Sequence, residues 1–372
     1  MKIDLDSPTP KYLQVKEILS HYFKNEHYES GQRIPSENEL IERFDVSRNT
    51  VRQALGELEN EGFIYKIRGS GSYFSGKTQQ VDNQTHLIGV LTPLISSYIY
   101  PKIIEGIDDV AHKKRYNIVL GNSKGMPEKE LICLEHLLEK HVDGLLLEPA
   151  GGIHHIQESK TFRLVQELTI PVVFLDWEIN EPQMSYVSID DVEGGFRATS
   201  FLLEAGHRRI ACVYPNDHVP GLQRYQGYQE ALEMQNIKPE PKLEKAGTIL
   251  KWNDPEYIPT LMQDLLDLGA DRPTAIFFFN DFAALRGYAA IRDAGLKIPD
   301  DISVIGFDDS EMGAFSEIPL TSVIHPKYQI GKLAAEILFE HLDQKDKRIP
   351  RQMIINPTIA IRQSVKIIRA DA

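Results

Sequence analysis

PSENELIERFDVSRNTVRQALGELENEGFIYKIRGSGSYF (35–74) is the stretch that decides how this chain is read. Ser36 followed by Glu39 is a capping-box spacing, in which hydroxyl and carboxylate each serve a backbone N–H at a helix start. It predicts a helix running to about Phe44. After a short connection, Asp45-Val46, Ser47 supplies another N-cap. The helix it opens carries Val51, Leu55 and Leu58 on one face, and Gly62 ends it. Phe63 to Ile67 and Ser72 to Phe74 read as two short strands joined by the turn Arg68-Gly69-Ser70-Gly71. Upstream, Tyr12, Val15, Ile18, Leu19 and Tyr22 recur at helical spacing. Residues 11–75 are thus expected to form three helices and a hairpin.

Two helices joined by so short a connection can present the start of the second to the major groove of DNA. Here that start is Ser47-Arg48-Asn49-Thr50-Val51-Arg52. Arg48 and Arg52 are four apart and share a face. Asn49 can pair bidentately with adenine and an arginine with guanine, each for about 1–3 kcal/mol of discrimination. Thr50 suits a phosphate or a thymine methyl. Lys66 and Arg68 sit beside glycines in the hairpin, where backbone and cation can approach phosphate closely. The plain alternative is a solvated, charge-laced helix on an ordinary small domain.

The order of P-S-E-x-E-L, V-S-R-x-T-V-R-x-A-L-x-x-L, E-G and G-x-G-[ST]-[FY] in 35–74 resembles the GntR-family winged helix-turn-helix. The resemblance implies DNA contacts at Glu37, Arg48, Asn49, Thr50, Arg52, Arg68 and Gly69, with Lys11 as a phosphate contact. It also implies a homodimer on a near-palindromic double-stranded operator.

The chain has 372 residues and a net charge of −13. Residues 1–77 hold 11 Lys and Arg against 12 Asp and Glu, a net of −1, so −13 − (−1) = −12 belongs to the rest. The acidity lies outside the small domain, whose cations are free to cluster on one face. Cys133 and Cys212 are far apart and outside any C-x-x-C spacing. That argues against a disulfide scaffold or zinc ribbon and fits a reducing cytoplasm. No run approaches a membrane-spanning length, and the first residues lack the apolar core of a secretion signal.

Residues 76–86, GKTQQVDNQTH, are polar and aperiodic and read as a linker between a head (1–76) and a larger region (87–372). From Leu87 on, apolar runs alternate with amphipathic stretches. The runs are 87–91, 116–120, 143–148, 171–176, 186–190, 209–214, 275–280, 302–309 and 321–325; helical stretches include 192–205, 220–235, 282–294 and 327–342. Alternation of this kind predicts parallel sheets covered by helices. Nine runs are many for one open sheet, so two lobes around a cleft are expected. Ligands of such sheets bind outside the strand C-termini, which draws attention to polar residues at run ends. These are Glu148, Asp176 with Trp177, Asn280-Asp281, Asp308 and His325. Arg224 follows the 209–214 run, and Ser96, Tyr98 and Tyr100 follow the first. Carboxylates and arginine suit vicinal hydroxyls, and aromatics cover a sugar's C–H face.

The pieces IGVL (88–91), VSIDDVEGG (187–195), GHRRIACV (206–213), FFFNDFAALR (277–286) and IPDDISVIGFDD (298–309) resemble a LacI/GalR-type effector domain, similar to periplasmic sugar-binding proteins, over about 87–368. By position, the resemblance favours Arg224, Asp281, Asp308 and the loop after the first strand as effector contacts. A GntR-type head on such a core, with Pro10-Lys11-Tyr12 and YIYPKIIEGI (98–107), resembles arabinose-responsive repressors. That implies a small sugar effector, L-arabinose, and no cofactor. The expected fold class is an α+β winged helix-turn-helix head plus an α/β two-lobed periplasmic-binding-protein-like domain.

One departure stands out: LacI-type proteins carry a hinge helix between head and core, and none is legible in 76–86. Three rivals share the scaffold. A transport-binding protein is opposed by the winged-helix pattern and by first residues that do not read as a secretion signal. A sugar-processing enzyme would need a phosphate loop after a strand, a carboxylate metal cluster or a nucleophile–base pair. The match of Gly71 to Thr78 to a P-loop puts strand residues, Tyr73 and Phe74, inside the motif and a polar linker where the helix should start, and His154-His155 has no partners nearby in sequence. A transcription activator would carry the same two domains.

Overall fold

The computed structural model describes residues 10–25, 28–67, 70–75, 84–150, 159–179, 181–344 and 348–368. Arg68, Gly69, His154, His155 and the linker stretch 76–83 lie outside the described residues. The chain divides into two compact units, Met1–Asn83 and Gln84–Ala372.

In the first unit, α1 (Lys11–Asn25), α2 (Glu37–Phe44) and α3 (Arg48–Asn60) precede an antiparallel pair, β1 (Ile64–Ile67) and β2 (Gly71–Phe74). The expected caps are present. The Ser36 N–H donates to Glu39 Oε2 at 2.7 Å, and Thr50 N–H donates to Ser47 Oγ at 3.2 Å. Asp45 takes the left-handed conformation (φ 50°) that turns the chain between α2 and α3. Val15, Leu19, Phe23, Leu40, Val51, Leu55, Leu58, Phe63 and Phe74 close the core. Each such side chain contributes about 1.5–3 kcal/mol on burial. Gly71 to Phe74 is a strand, which leaves no phosphate loop at that place.

The second unit has two sheets. One is built from β3 (Leu87–Thr92), β4 (Asn117–Asn122), β5 (Gly144–Leu147), β6 (Val172–Leu175) and β7 (Ser185–Ile189), with α4 (Tyr100–Lys113), α5 (Pro127–Glu139) and α6 (Lys160–Glu167) between strands. The chain then crosses through α7 (Asp191–Glu204) to the other, made of β8 (Ile210–Pro215), β9 (Glu244–Gly247), β10 (Ala275–Phe278), β11 (Ser303–Phe307) and β12 (Thr321–Ile324), with α8 (Val219–Met234), α9 (Tyr257–Leu266), α10 (Asp281–Asp293) and the short α11 (Glu311–Ala314). It returns through α12 (Lys327–Asp343), adds β13 (Gln352–Ile355) to the first sheet and finishes as β14 (Thr358–Ala360) on the second. The orders are β13-β7-β6-β5-β3-β4, all parallel, and β14-β12-β11-β10-β8-β9, with β14 antiparallel. Three passages of chain therefore join two lobes. Their strands are apolar on both faces, as in Leu145, Leu146 and Leu147, because helices cover both sides. Thr85 and His86 are tied to this unit: both N–H groups donate to the Asp143 carboxylate, at 2.9 and 2.8 Å.

Candidate functional site

Each lobe contains a helix pair that crosses at glycine. A Cβ on Gly195 of α7 would lie 2.0 Å from the Arg224 carbonyl oxygen, and one on Gly227 of α8 2.0 Å from that of Val192. In the other lobe, Gly331 of α12 meets the Ile103 oxygen of α4 at the same distance. Only a residue without Cβ permits such approaches. The first of them sets Arg224 beside the start of α7. Its Nε donates to Asp191 Oδ1 at 2.6 Å and its Nη1 to the Phe279 carbonyl at 2.7 Å. Nη1 also lies 3.8 Å from Asp308 Oδ1, and the guanidinium sits 3.5 Å from the Phe307 ring centre. Burial disfavours the Arg224 charge, but Asp191 and Asp308 outweigh it and raise its pKa. Burial likewise pushes Asp191 up to about 6, against the pull of Arg224.

The strand ends of both lobes face a cleft of about 670 Å³. The first lobe contributes Tyr100, Glu148, Asp176 and Trp177; the second contributes His218, Arg224, Trp252, Phe279, Asn280 and Asp308. The Tyr98 hydroxyl, from the loop after β3, donates to Asp308 Oδ2 after β11. His325 Nε2, just past β12, lies 2.9 Å from both oxygens of Asp176, just past β6. Tyr100 donates to Glu148 Oε1 at 2.8 Å. Two polar atoms buried in the cleft wall, Glu148 Oε2 and His218 Nδ1, have no hydrogen-bond partner among the described residues. Buried polar groups of this kind call for a partner.

Charge states follow from these surroundings. Burial, then the Asp176 charge, push Glu148 well above the carboxylate range. Burial pushes Asp176 up too, but His325 and Arg224 outweigh it and hold it low. Burial drives His218 down to about 4, so its ring is neutral at pH 7. That ring stands edge-on to Trp177 (5.9 Å) and Phe279 (5.7 Å), and Trp252 is edge-on to Phe279 (5.7 Å). The cleft thus joins an aromatic wall to a floor of donors and acceptors.

Of the residues singled out from sequence, Tyr100, Glu148, Asp176, Trp177, Arg224, Asn280 and Asp308 line the cleft. Asn280 Oδ1 also caps α10, accepting from Ala283 N–H at 3.0 Å, and takes Trp252 Nε1 at 3.4 Å. Tyr98 and His325 stand one contact behind the lining. Asp281 is only 1% exposed and accepts from Ser310 N–H and Ser322 Oγ, both at 2.6 Å, which ties α10 to the ends of β11 and β12. Ser96 is exposed, and its neighbour Ser97 lines the cleft instead. His218, Trp252 and Phe279 were not singled out. His218 and Phe279 follow β8 and β10 and were open to the run-end argument; Trp252 lies in a polar stretch with no periodicity.

On the first unit, Arg48, Asn49, Arg52, Lys66 and Lys11 are exposed, with Glu37 and Thr50 partly so. Arg48 Nη2 donates to Asn38 Oδ1 and Arg52 Nε to Glu37 Oε2, each at 2.9 Å. Both arginines of α3 are thereby tethered to the start of α2. Lys66 Nζ donates to Glu59 Oε2 at 2.6 Å.

A family model of bacterial regulatory proteins of the gntR family matches residues 11–74, and one of the periplasmic binding protein-like domain matches 199–365. The chain is 34% identical over 358 residues to an arabinose metabolism transcriptional repressor of Geobacillus stearothermophilus, covering 96% of this chain and 98% of the relative. It is 30% identical over 343 residues to the protein of that description from Halalkalibacterium halodurans, with 89% and 90% covered. Among solved structures, the transcriptional regulator CelR in complex with cellobiose superposes with a TM-score of 0.67 at 25% identity, over 96% of this chain and 100% of the other.

Proposed function

The chain belongs to the family of arabinose metabolism transcriptional repressors, DNA-binding repressors of sugar-utilisation genes, and on that premise we propose that L-arabinose in the interlobe cleft releases a homodimer from its operator in the cytoplasm. The observation that carries the effector reading is the pair of unpartnered buried atoms, Glu148 Oε2 and His218 Nδ1, in one cleft with an aromatic wall. A sugar meets both needs at once: hydroxyls for the polar atoms, a C–H face for Trp177 and Phe279. Arg224, Asp308, Asn280 and Asp176 would complete its hydrogen bonds. The floor carries more carboxylates than cations, which favours an uncharged sugar over a phosphorylated or acidic one. Tyr98–Asp308 and Asp176–His325 link the lobes and give the sugar something to bias.

The head (1–76) would hold DNA through Arg48, Asn49, Thr50 and Arg52, with Lys11, Lys66, Arg68 and Gly69 at the backbone and Glu37 orienting Arg52. The reading assigns no catalytic residue. Sugar releases DNA only if it binds the two states with unequal affinity; a coupling of about 1–3 kcal/mol is typical.

The test is fluorescence anisotropy of the full chain on its own upstream promoter DNA, titrated with L-arabinose, D-xylose, D-ribose and D-galactose. Release by L-arabinose at the lowest concentration is expected. Release by another of the four alone would replace the effector, and release by none would remove the sugar reading.

A further inference from the structure

Glu148 and Asp176 follow neighbouring parallel strands, β5 and β6, whose register pairs Leu147 with Phe174. They end in one cleft with very different support. Asp176 has His325 Nε2 at 2.9 Å from each oxygen and the Arg224 cation in its field. Glu148 has one neutral donor, Tyr100, on Oε1; its Oε2 is buried in the cleft wall with no partner among the described residues. Two adjacent buried carboxylates with one set of counter-donors do not both ionise; their environments split them into an anion and an acid.

We infer that Glu148 is a neutral carboxylic acid whose O–H donates to an oxygen of the sugar, while Asp176 remains an anionic acceptor. The inference rests on the sugar reading of the cleft and adds the direction of one hydrogen bond. An ionised Glu148 would offer only acceptors. A protonated one gives the first lobe a donor facing the cleft beside the acceptor Asp176. The sugar hydroxyl it meets is then free to donate onward. The titratable groups facing Glu148 agree with this state. Asp176 opposes a further negative charge, Tyr100 stays protonated, and His218 is neutral. Arg224 is engaged by Asp191 and Asp308. Lys124 and Glu128, on the α5 side of the cleft, offset each other in charge.

The sign of the pH dependence is fixed. Sugar that accepts the Glu148 proton binds the protonated form, so affinity is flat through neutral pH and weakens as alkali removes that proton. Calorimetric titration of the full chain with L-arabinose across this range is the first arm. Glu148→Gln keeps a donor and cannot ionise, so its Kd should lose the alkaline weakening and be about tenfold lower than that of Glu148→Ala, the scale of one hydrogen bond. Glutamine no better than alanine, or a glutamine variant that keeps the alkaline limb, overturns the inference. The second arm needs no ligand. At neutral pH the infrared difference spectrum between the unaltered chain and either Glu148 variant should contain a protonated carboxylic-acid carbonyl band, the contributions of buried Asp281 and Glu130 (each about 7) cancelling in the difference. Absence of that band overturns the inference. No heat with arabinose while the band persists defeats the effector reading and leaves the charge state standing.

Discussion

Arg52 and Arg224 carry the same charge in opposite settings. The Arg52 side chain is 60% exposed and meets Glu37 in solvent, whereas that of Arg224 is 6% exposed and meets Asp191 in a sealed floor between two aromatic rings. An exposed pair is worth about 0–1 kcal/mol, because water screens it and two long side chains must be ordered. Such an arginine is energetically free to leave its partner for a guanine. A buried arginine has no such freedom, since separating it strands a desolvated carboxylate. The head therefore keeps its charges available for an outside partner, while the core fixes its charges into the shape of the cleft.

The sharpest way to break this contrast is Arg224→Met. Removing one partner of a buried ion pair costs about 3–5 kcal/mol, so thermal melts of the core should shift strongly down and sugar binding should vanish. Adding Asp191→Asn removes the stranded charge; the double variant should recover much of the stability and none of the binding. A single variant as stable as the parent would show that the pair is not desolvated.

Arg52→Ala comes next in size and should fall on the other side of the comparison. Its loss is expected to cost about 1–3 kcal/mol of operator discrimination and to leave stability within about 0.5 kcal/mol, as at other exposed positions. Sugar affinity should not move. Anisotropy against the operator and a one-base variant, with a melt alongside, reads all of it. An operator preference in Arg52→Ala equal to that of the parent would remove Arg52 from the discriminating contacts.

How much of this was legible in sequence also divides between the two units. The head's elements are contiguous, and Ser36, Glu39 and Ser47 announce their own helix starts, so caps, turn and exposed face could be read directly. The core's nine apolar runs all became strands, and Arg224, Asp308 and Glu148 were visible as polar residues past them. What escaped was whatever lacked a long apolar run. β9 is Glu-Lys-Ala-Gly at a sheet edge, β13 and β14 fold back late, and Trp252 reaches the cleft from a polar loop. Asp281 illustrates a different limit. Sequence placed it at a run end, but only packing shows that Ser310 and Ser322 engage both of its oxygens.

pH should sharpen the contrast at about 1 kcal/mol. Burial pushes Asp281 and Glu130 up to about 7 in the folded core, while both ionise near 4 when unfolded. Between those values the folded state holds more protons, so their contribution falls as pH rises. Below about 6.5, buried His207, His218 and His341, whose pKa values burial lowers, give the opposite slope. From pH 6.5 to 8 Asp281, Glu130 and the Glu148 acid all act in that one direction, and amide exchange in β10 and β11 should quicken beyond its intrinsic increase. The head should not follow. Glu39, held low by its hydrogen bonds to Ser36, contributes above the carboxylate range and loses that contribution only in acid. A parallel rise in exchange in α3 would contradict this separation.

Lys66→Ala should be the smallest change of all. Lys66 pairs with Glu59 at 2.6 Å, but both side chains are well exposed, 45% and 38%, so stability should shift by a few tenths of a kcal/mol. If Lys66 lies on the DNA backbone, its loss removes about one neutralised phosphate. The slope of log K against log salt should then flatten by about 0.9, uniformly across sequences. That pattern differs in kind from the Arg52 variant, whose effect is concentrated on one base pair. An unchanged salt slope would place the wing cation off the DNA and leave α3 to hold the operator with whatever backbone contacts Lys11 provides.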